Sequence, residues 1–207
     1  MIRVLIVGDG DRDAAVLPHL VSRLLGVEVE PEHRAWRSIR IHRLFRGRGF
    51  DRKLRFVVRE AHEAKRAVVA VVDQDRAKPR ERLRALQEAR EQDRAIGVRV
   101  ATALGEARPH GESWLLDDEA AVRTGLHLPT EVKIPSTGAV KSPKDALQRL
   151  IDRSIAMGEP GRTVLACFEA VARCVDLTRC IRRDETGFSE VVDDLKTEFK
   201  DFILPLS

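Results

Sequence analysis

Two valine- and isoleucine-rich runs, each ending in a knot of carboxylates, constrain this chain more than any other feature. The first is Ile2-Arg-Val-Leu-Ile-Val7, followed by Gly8-Asp9-Gly10-Asp11-Arg12-Asp13. The second is Ala67-Val-Val-Ala-Val-Val72, followed by Asp73-Gln74-Asp75. Runs of this kind, without polar alternation, mark strands buried on both faces, as in a parallel sheet covered by helices. Such sheets bind ligands just beyond the carboxyl ends of their strands. Acids gathered there repel one another unless a cation lies between them. Mg²⁺ (or Mn²⁺) meets that need, taking a few carboxylates and leaving room for water and phosphate.

The rest of the pattern extends this α/β reading. Asp13 is expected to cap a helix over residues 13–26, with Leu17, Leu20, Val21, Leu24 and Leu25 on one face. A strand is expected within 27–36, a helix over 51–65, a helix over 79–93 and a strand over 97–104. Beyond residue 105 the alternation gives way to helices, expected over 112–124, 143–155, 161–182 and 188–202. The fold class is therefore α/β, a mainly parallel sheet flanked by helices, with a helical carboxyl-terminal addition. Residues 1–125 form the α/β domain and 126–207 a helical extension packed on it.

Composition narrows the setting. The 207 residues are 43% hydrophobic and 34% charged, a balance typical of a globular protein. The longest wholly apolar run, Ala67 to Val72, is too short to span a bilayer. No secretory signal pattern is visible, and Cys167, Cys174 and Cys180 have neither zinc spacing nor an even count. They are expected to be reduced core residues of a cytoplasmic protein. The six histidines do not cluster with one another at metal spacing.

Positive charge is concentrated. Residues 34–59 carry nine Arg and one Lys against the single acid Asp51, or +9, leaving the rest of the chain at −5. Arg37, Arg40, Arg43, Arg46 and Arg48 are the candidate nucleic-acid contacts, because guanidinium groups grip phosphate in bidentate fashion. A solvated face is the competing explanation.

With these residues in view, the chain resembles the Toprim superfamily, which includes topoisomerases, bacterial primases and OLD-type nucleases. Asp9-Gly10 stands at the position of that family's Glu-Gly, Asp13 at a following acid, and Asp73 and Asp75 at its Asp-x-Asp. A fuller likeness is to a small stand-alone Toprim-like family of unknown function. It rests on Glu112-Ser-Trp114-Leu-Leu-Asp-Asp118, on Pro143-Lys144 before an amphipathic helix, and on the aromatic helix from Phe188. The resemblance implies Mg²⁺-dependent nuclease chemistry. Asp73, Asp75 and Asp9 would hold the metal, Asp9 and Glu112 would be catalytic, and Asp13, Asp118 and Lys144 are further candidates. It also implies nucleic acid and an ATPase as partners. The alternative is an inactive module that binds nucleic acid or a partner protein.

One departure matters. Asp9 is shorter than the family's glutamate by one methylene, about 1.5 Å of reach. Either the backbone moves closer, or Asp11 or Asp13 contributes, or the site is weakened. Trp114 is expected to be core, and Glu112 is either a ligand or merely an acid at a helix start.

Overall fold

A computed structural model describes residues 1–41, 49–158 and 162–202. Four strands run parallel in the order β2-β1-β3-β4: β1 (Ile2–Gly8), β2 (Val29–Ala35), β3 (Ala67–Asp73) and β4 (Thr102–Ala107). Strand residues alternate between the two faces of the sheet, and β1 and β3 are apolar on both. Val4, Ile6, Val69 and Val71 face one core, while Leu5, Val7, Val68, Ala70 and Val72 face the other. Both faces therefore need a cover of helices.

The second face is covered by α2 (Phe50–Glu63) and α3 (Glu81–Ala95), through Leu54, Val57, Val58, Leu83 and Leu86. The first is covered by α1 (Asp11–Leu25) together with the later helices α4 (Glu112–Leu116), α5 (Glu119–Gly125), α6 (Pro143–Met157), α7 (Val164–Cys174) and α8 (Phe188–Glu198). Residues beyond 125 thus share a continuous core with β1, β3 and α1; Leu147, Phe168 and Phe199 lie in it with Ile6 and Leu17. Trp114 is core, as expected. Its ring stacks on Phe188 at 5.1 Å, and its Nε1 donates to the Thr186 carbonyl at 2.8 Å. No described helix is long and apolar enough to cross a membrane.

Several boundaries differ from the sequence expectation, each for a local reason. The fourth strand begins at Thr102, not at residue 97, because Gly97 (φ 86°) and Val98 are used to close α3, donating to the Arg94 and Asp93 carbonyls. It runs on through Glu106, a fully buried acid whose Oε1 accepts the Arg80 N–H at 2.7 Å. The helix expected over 112–124 breaks at Asp118, which caps α5 by accepting the Ala121 N–H at 3.0 Å. The helix expected over 161–182 ends at Cys174. The chain beyond is drawn into turns by Asp118, which takes the Asp176 N–H, and by Asp117, which takes the Arg182 N–H.

The exposed edge of β4 is closed by α8. Asp194 accepts the Leu104 N–H at 2.7 Å and Glu198 accepts the Thr102 N–H at 3.3 Å. Side-chain carboxylates thus occupy donors that a further strand would otherwise pair. Gly105 lets α8 approach, since a Cβ there would lie 2.1 Å from Val191 Cγ2.

Candidate metal centre

The topology fixes where a site can form. The helix after β1, α1, lies on one face of the sheet, and the helix after β3, α3, lies on the other. The adjacent strands β1 and β3 therefore flank a switch point, where the chain leaves in opposite directions and opens a crevice. Asp9 follows β1 directly and Asp73 ends β3, so both carboxylates stand at its mouth.

Asp73 is the hub. Its Oδ1 accepts the Gly111 N–H at 3.0 Å, and its backbone N–H donates to Asp9 Oδ2 at 3.3 Å. His110 Nδ1 lies 3.2 Å from Asp73 Oδ2 and 3.4 Å from Asp75 Oδ1. Ligand atoms of Asp73, Asp75 and His110 fall within 4.8 Å of one another, the only such trio among the described residues. The sequence grouped Asp9 with Asp73 and Asp75; in the fold Asp9 stands beside this trio and His110 takes the third place. The spacing of the histidines in the sequence gives no sign of His110. The missed signal was its position just past β4, the strand paired with β3.

Asp75 lies beyond the strand, in a left-handed turn (φ 48°). It still meets Asp73, through His110 rather than through strand alternation. Arg82 donates to Asp75 Oδ2 at 2.8 Å and also to the Asp73 carbonyl, holding the turn closed.

Asp13 is not the cap of α1. It sits in the third helical position, reaching back to accept the Asp9 N–H in the manner of a capping box. Its other oxygen faces Gly111. Asp13 thus braces the backbone of the short Asp9. Gly8 makes it possible. A Cβ there would lie 2.6 Å from both Cβ and Oδ2 of Asp13. Gly8→Ala is therefore expected to push Asp13 off the Asp9 N–H and to cost about 1–3 kcal/mol in urea unfolding, the usual penalty of overpacking. An unchanged midpoint would show that Asp13 has room to yield.

Glu112 opens α4 and is 8% exposed. Arg12 donates to its Oε1 at 2.8 Å and to Gln148 Oε1 at 2.8 Å, tying α1, α4 and α6 together beneath the cleft. Asp9, Asp13, Asp73 and Glu112 thus converge from three directions. Burial, more than anything else, pushes the Asp73 carboxyl up to about 8, and the neighbouring charges of Asp13, Asp9 and Glu112 add to it. Burial likewise pushes Asp13 up to about 6 and raises Asp9.

The cleft over these acids has a volume of about 390 Å³, and Arg37 and Lys144 line it. Arg40 is exposed; Arg43, Arg46 and Arg48 lie outside the described residues. The basic stretch is not one helix. Arg34 is on β2, Arg37 in a short 3₁₀ turn, and Arg55 and Arg59 on α2. Arg34 binds Glu60 at 2.6 Å and Glu32 at 2.9 Å, while Arg55 and Arg59 reach the buried Asp93 at 3.0 and 3.2 Å. Part of the apparent excess charge is thus neutralised by acids outside the stretch.

Asp118 belongs elsewhere. It is fully buried, bound by Arg179 Nε at 2.9 Å, and lines a separate hollow beside α5. Comparison with family models, with curated proteins and with solved structures finds no match to this chain.

Proposed function

We propose that the protein is a divalent-metal-dependent hydrolase of nucleic-acid phosphodiesters, with its active centre in the cleft at the carboxyl edge of the sheet. The observation that carries this reading is the convergence of Asp9, Asp13, Asp73 and Glu112 at one switch point, with Asp75 and His110 against Asp73. Carboxylates packed this closely gain from a cation between them. The donor set fits Mg²⁺ or Mn²⁺: hard carboxylate oxygens predominate, and the single imidazole suits Mn²⁺ better than Mg²⁺. Asp73 and Asp75, with Asp9 or His110 beside them, are the residues that would hold the ion. Bound there, it would supply a polarised phosphoryl oxygen and an activated water.

The other residues divide the remaining work. Arg37 and Lys144 at the cleft wall would bind the phosphate oxygens of the strand. Glu112, held by Arg12, is placed to take or return a proton at the reacting centre. Asp13 fixes the backbone of Asp9 and so the direction of its carboxylate. The resemblance to Toprim domains supports the same assignment. The free state of Cys167, Cys174 and Cys180 supports a reducing compartment, the cytoplasm.

One observation favours a second reading. Arg82 already pairs with the Asp75 carboxylate and His110 lies against both Asp73 and Asp75, contacts that a non-catalytic module could keep. Such a module would bind nucleic acid, or a partner protein such as an ATPase, without turnover. Calorimetry with Mg²⁺ and Mn²⁺ separates the two. Wild type is expected to bind the ion and Asp73→Ala/Asp75→Ala to lose it. Asp9→Asn is expected to stop the nicking of plasmid DNA while leaving the fold intact. Ion binding by neither protein, or nicking that survives Asp9→Asn, would remove the hydrolytic assignment.

A further inference from the structure

At the opposite end of the sheet, an open groove of about 650 Å³ crosses the amino ends of β1 and β3 and the approach to β4. The cations lining it come from separate parts of the chain: Arg3 on β1, Lys65 and Arg66 in the turn before β3, and Arg99 before β4. Among the described residues, no acid lines it. The seven residues of β3 place it about 20 Å from the acidic cleft.

Local structure explains only part of this. The carbonyl end of α2 favours a cation at Lys65, but Arg3 and Arg99 come from other elements. Lys65 adopts φ 52°, a left-handed position that glycine or asparagine fills at lower cost, so the turn itself gives no reason for lysine. Arg66 is bound to Glu32, and Arg3 makes only a loose, exposed pair with Glu30 at 3.9 Å. Among the described residues Lys65 and Arg99 have no acidic partner within 4.0 Å. The groove also carries exposed apolar surface. Met1 is 80% and Phe202 44% exposed, and both line it with Val100.

We propose that this groove binds a nucleoside polyphosphate. Lys65 and Arg99 take the phosphates, and the base lies against Phe202, Val100 and Met1. Cations without competing carboxylates suit a polyanion, and the volume lies in the range of small-ligand sites. The role is binding alone, since the groove offers no carboxylate to hold a divalent ion or activate water. The proposal does not depend on the reading of the acidic cleft.

The test is titration calorimetry in EDTA with ATP and with inorganic tripolyphosphate. The proteins are wild type, Lys65→Glu/Arg99→Glu and Asp73→Asn, each the full chain. ATP is expected to bind wild type and Asp73→Asn alike, more tightly than tripolyphosphate, and less tightly as salt rises. The double charge reversal is expected to weaken ATP at least tenfold; if it does not fold, Lys65→Gln/Arg99→Gln replaces it with the same expectation. Equal affinity of wild type and variant, no binding by wild type, or tripolyphosphate as tight as ATP would overturn the assignment. So would a single-stranded oligonucleotide that loses tenfold on the variant while ATP binds neither protein, because the groove would then belong to a nucleic-acid strand.

Discussion

Asp73→Asn is expected to make the metal-free protein more stable at pH 8, although it removes a carboxylate that contacts His110. The Asp73 carboxyl is pushed up to about 8 from an ordinary value of 3.8, first by burial and then by Asp13, Asp9 and Glu112. The folded protein therefore holds this proton more tightly than the unfolded chain does. Below about pH 4 both states are protonated and the difference costs nothing. Between about pH 4 and 8 the unfolded chain releases its proton while the folded protein keeps it, so stability falls as pH rises. Above pH 8 the loss is complete. Asp13, pushed up to about 6, adds a smaller loss of the same sign over a lower range.

The rise at Asp73 amounts to roughly 6 kcal/mol at about 1.4 kcal/mol per pH unit. Asparagine keeps an oxygen for the Gly111 N–H but gives up the His110 contact, which offsets part of the gain. We expect a net stabilisation of ~3 kcal/mol at pH 8 in EDTA. Urea unfolding from pH 5 to 8 reads it directly: wild type declines across the range and the variant declines less. Mg²⁺ or Mn²⁺ is expected to restore stability to wild type alone, because the variant lacks the carboxylate that would lose its proton to solvent and bind the ion. Parallel pH curves for the two proteins would mean that Asp73 is not under this repulsion.

Asp118→Ala is expected to do the opposite, costing about 2–4 kcal/mol, the combined range of a lost helix cap and an unpaired buried N–H. Asp118 is fully buried. Burial by itself would raise its carboxyl, but bonds from Arg179, Ala121 and Asp176 outweigh burial and hold it below the usual value. Its contribution is therefore present above about pH 4 and is lost as pH falls through its own lowered value. Alanine would uncap α5, free the 176–187 turns and leave the Asp176 N–H without its acceptor. The variant is expected to unfold earlier in urea at pH 7. Its residual folded fraction is expected to respond to Mg²⁺ as wild type does. Loss of that response in protein shown to be folded would return Asp118 to the metal centre.

These two aspartates show how far the sequence could be read. The Asp9 and Asp73 positions were legible because a parallel strand buried on both faces has an unmistakable composition, and the chemistry of such sheets gathers at one edge. Asp118 carried the same kind of signal, a carboxylate within a recognisable signature, yet it serves as a helix cap. Charge type and spacing do not say which partner a buried acid will find. That depends on Arg179, 61 residues later in the chain.

The basic stretch teaches a related lesson. Its +9 was real as a count, but Glu32 and Glu60 stand just outside its limits and Asp93 lies on another helix, and these acids take up Arg34, Arg55 and Arg59. Of the described arginines in it that were assigned to nucleic acid, Arg37 lines the acidic cleft and Arg40 does not.

The amino-acid order by itself determined the α/β class, the doubly buried strands β1 and β3, and the acids at their carboxyl ends, because periodicity and composition are local properties. The tertiary structure alone decided that His110 joins Asp73 and Asp75, that Asp13 braces Asp9 and that Asp118 does neither. Each of those outcomes depends on which elements pack side by side, and packing is set by the whole core at once.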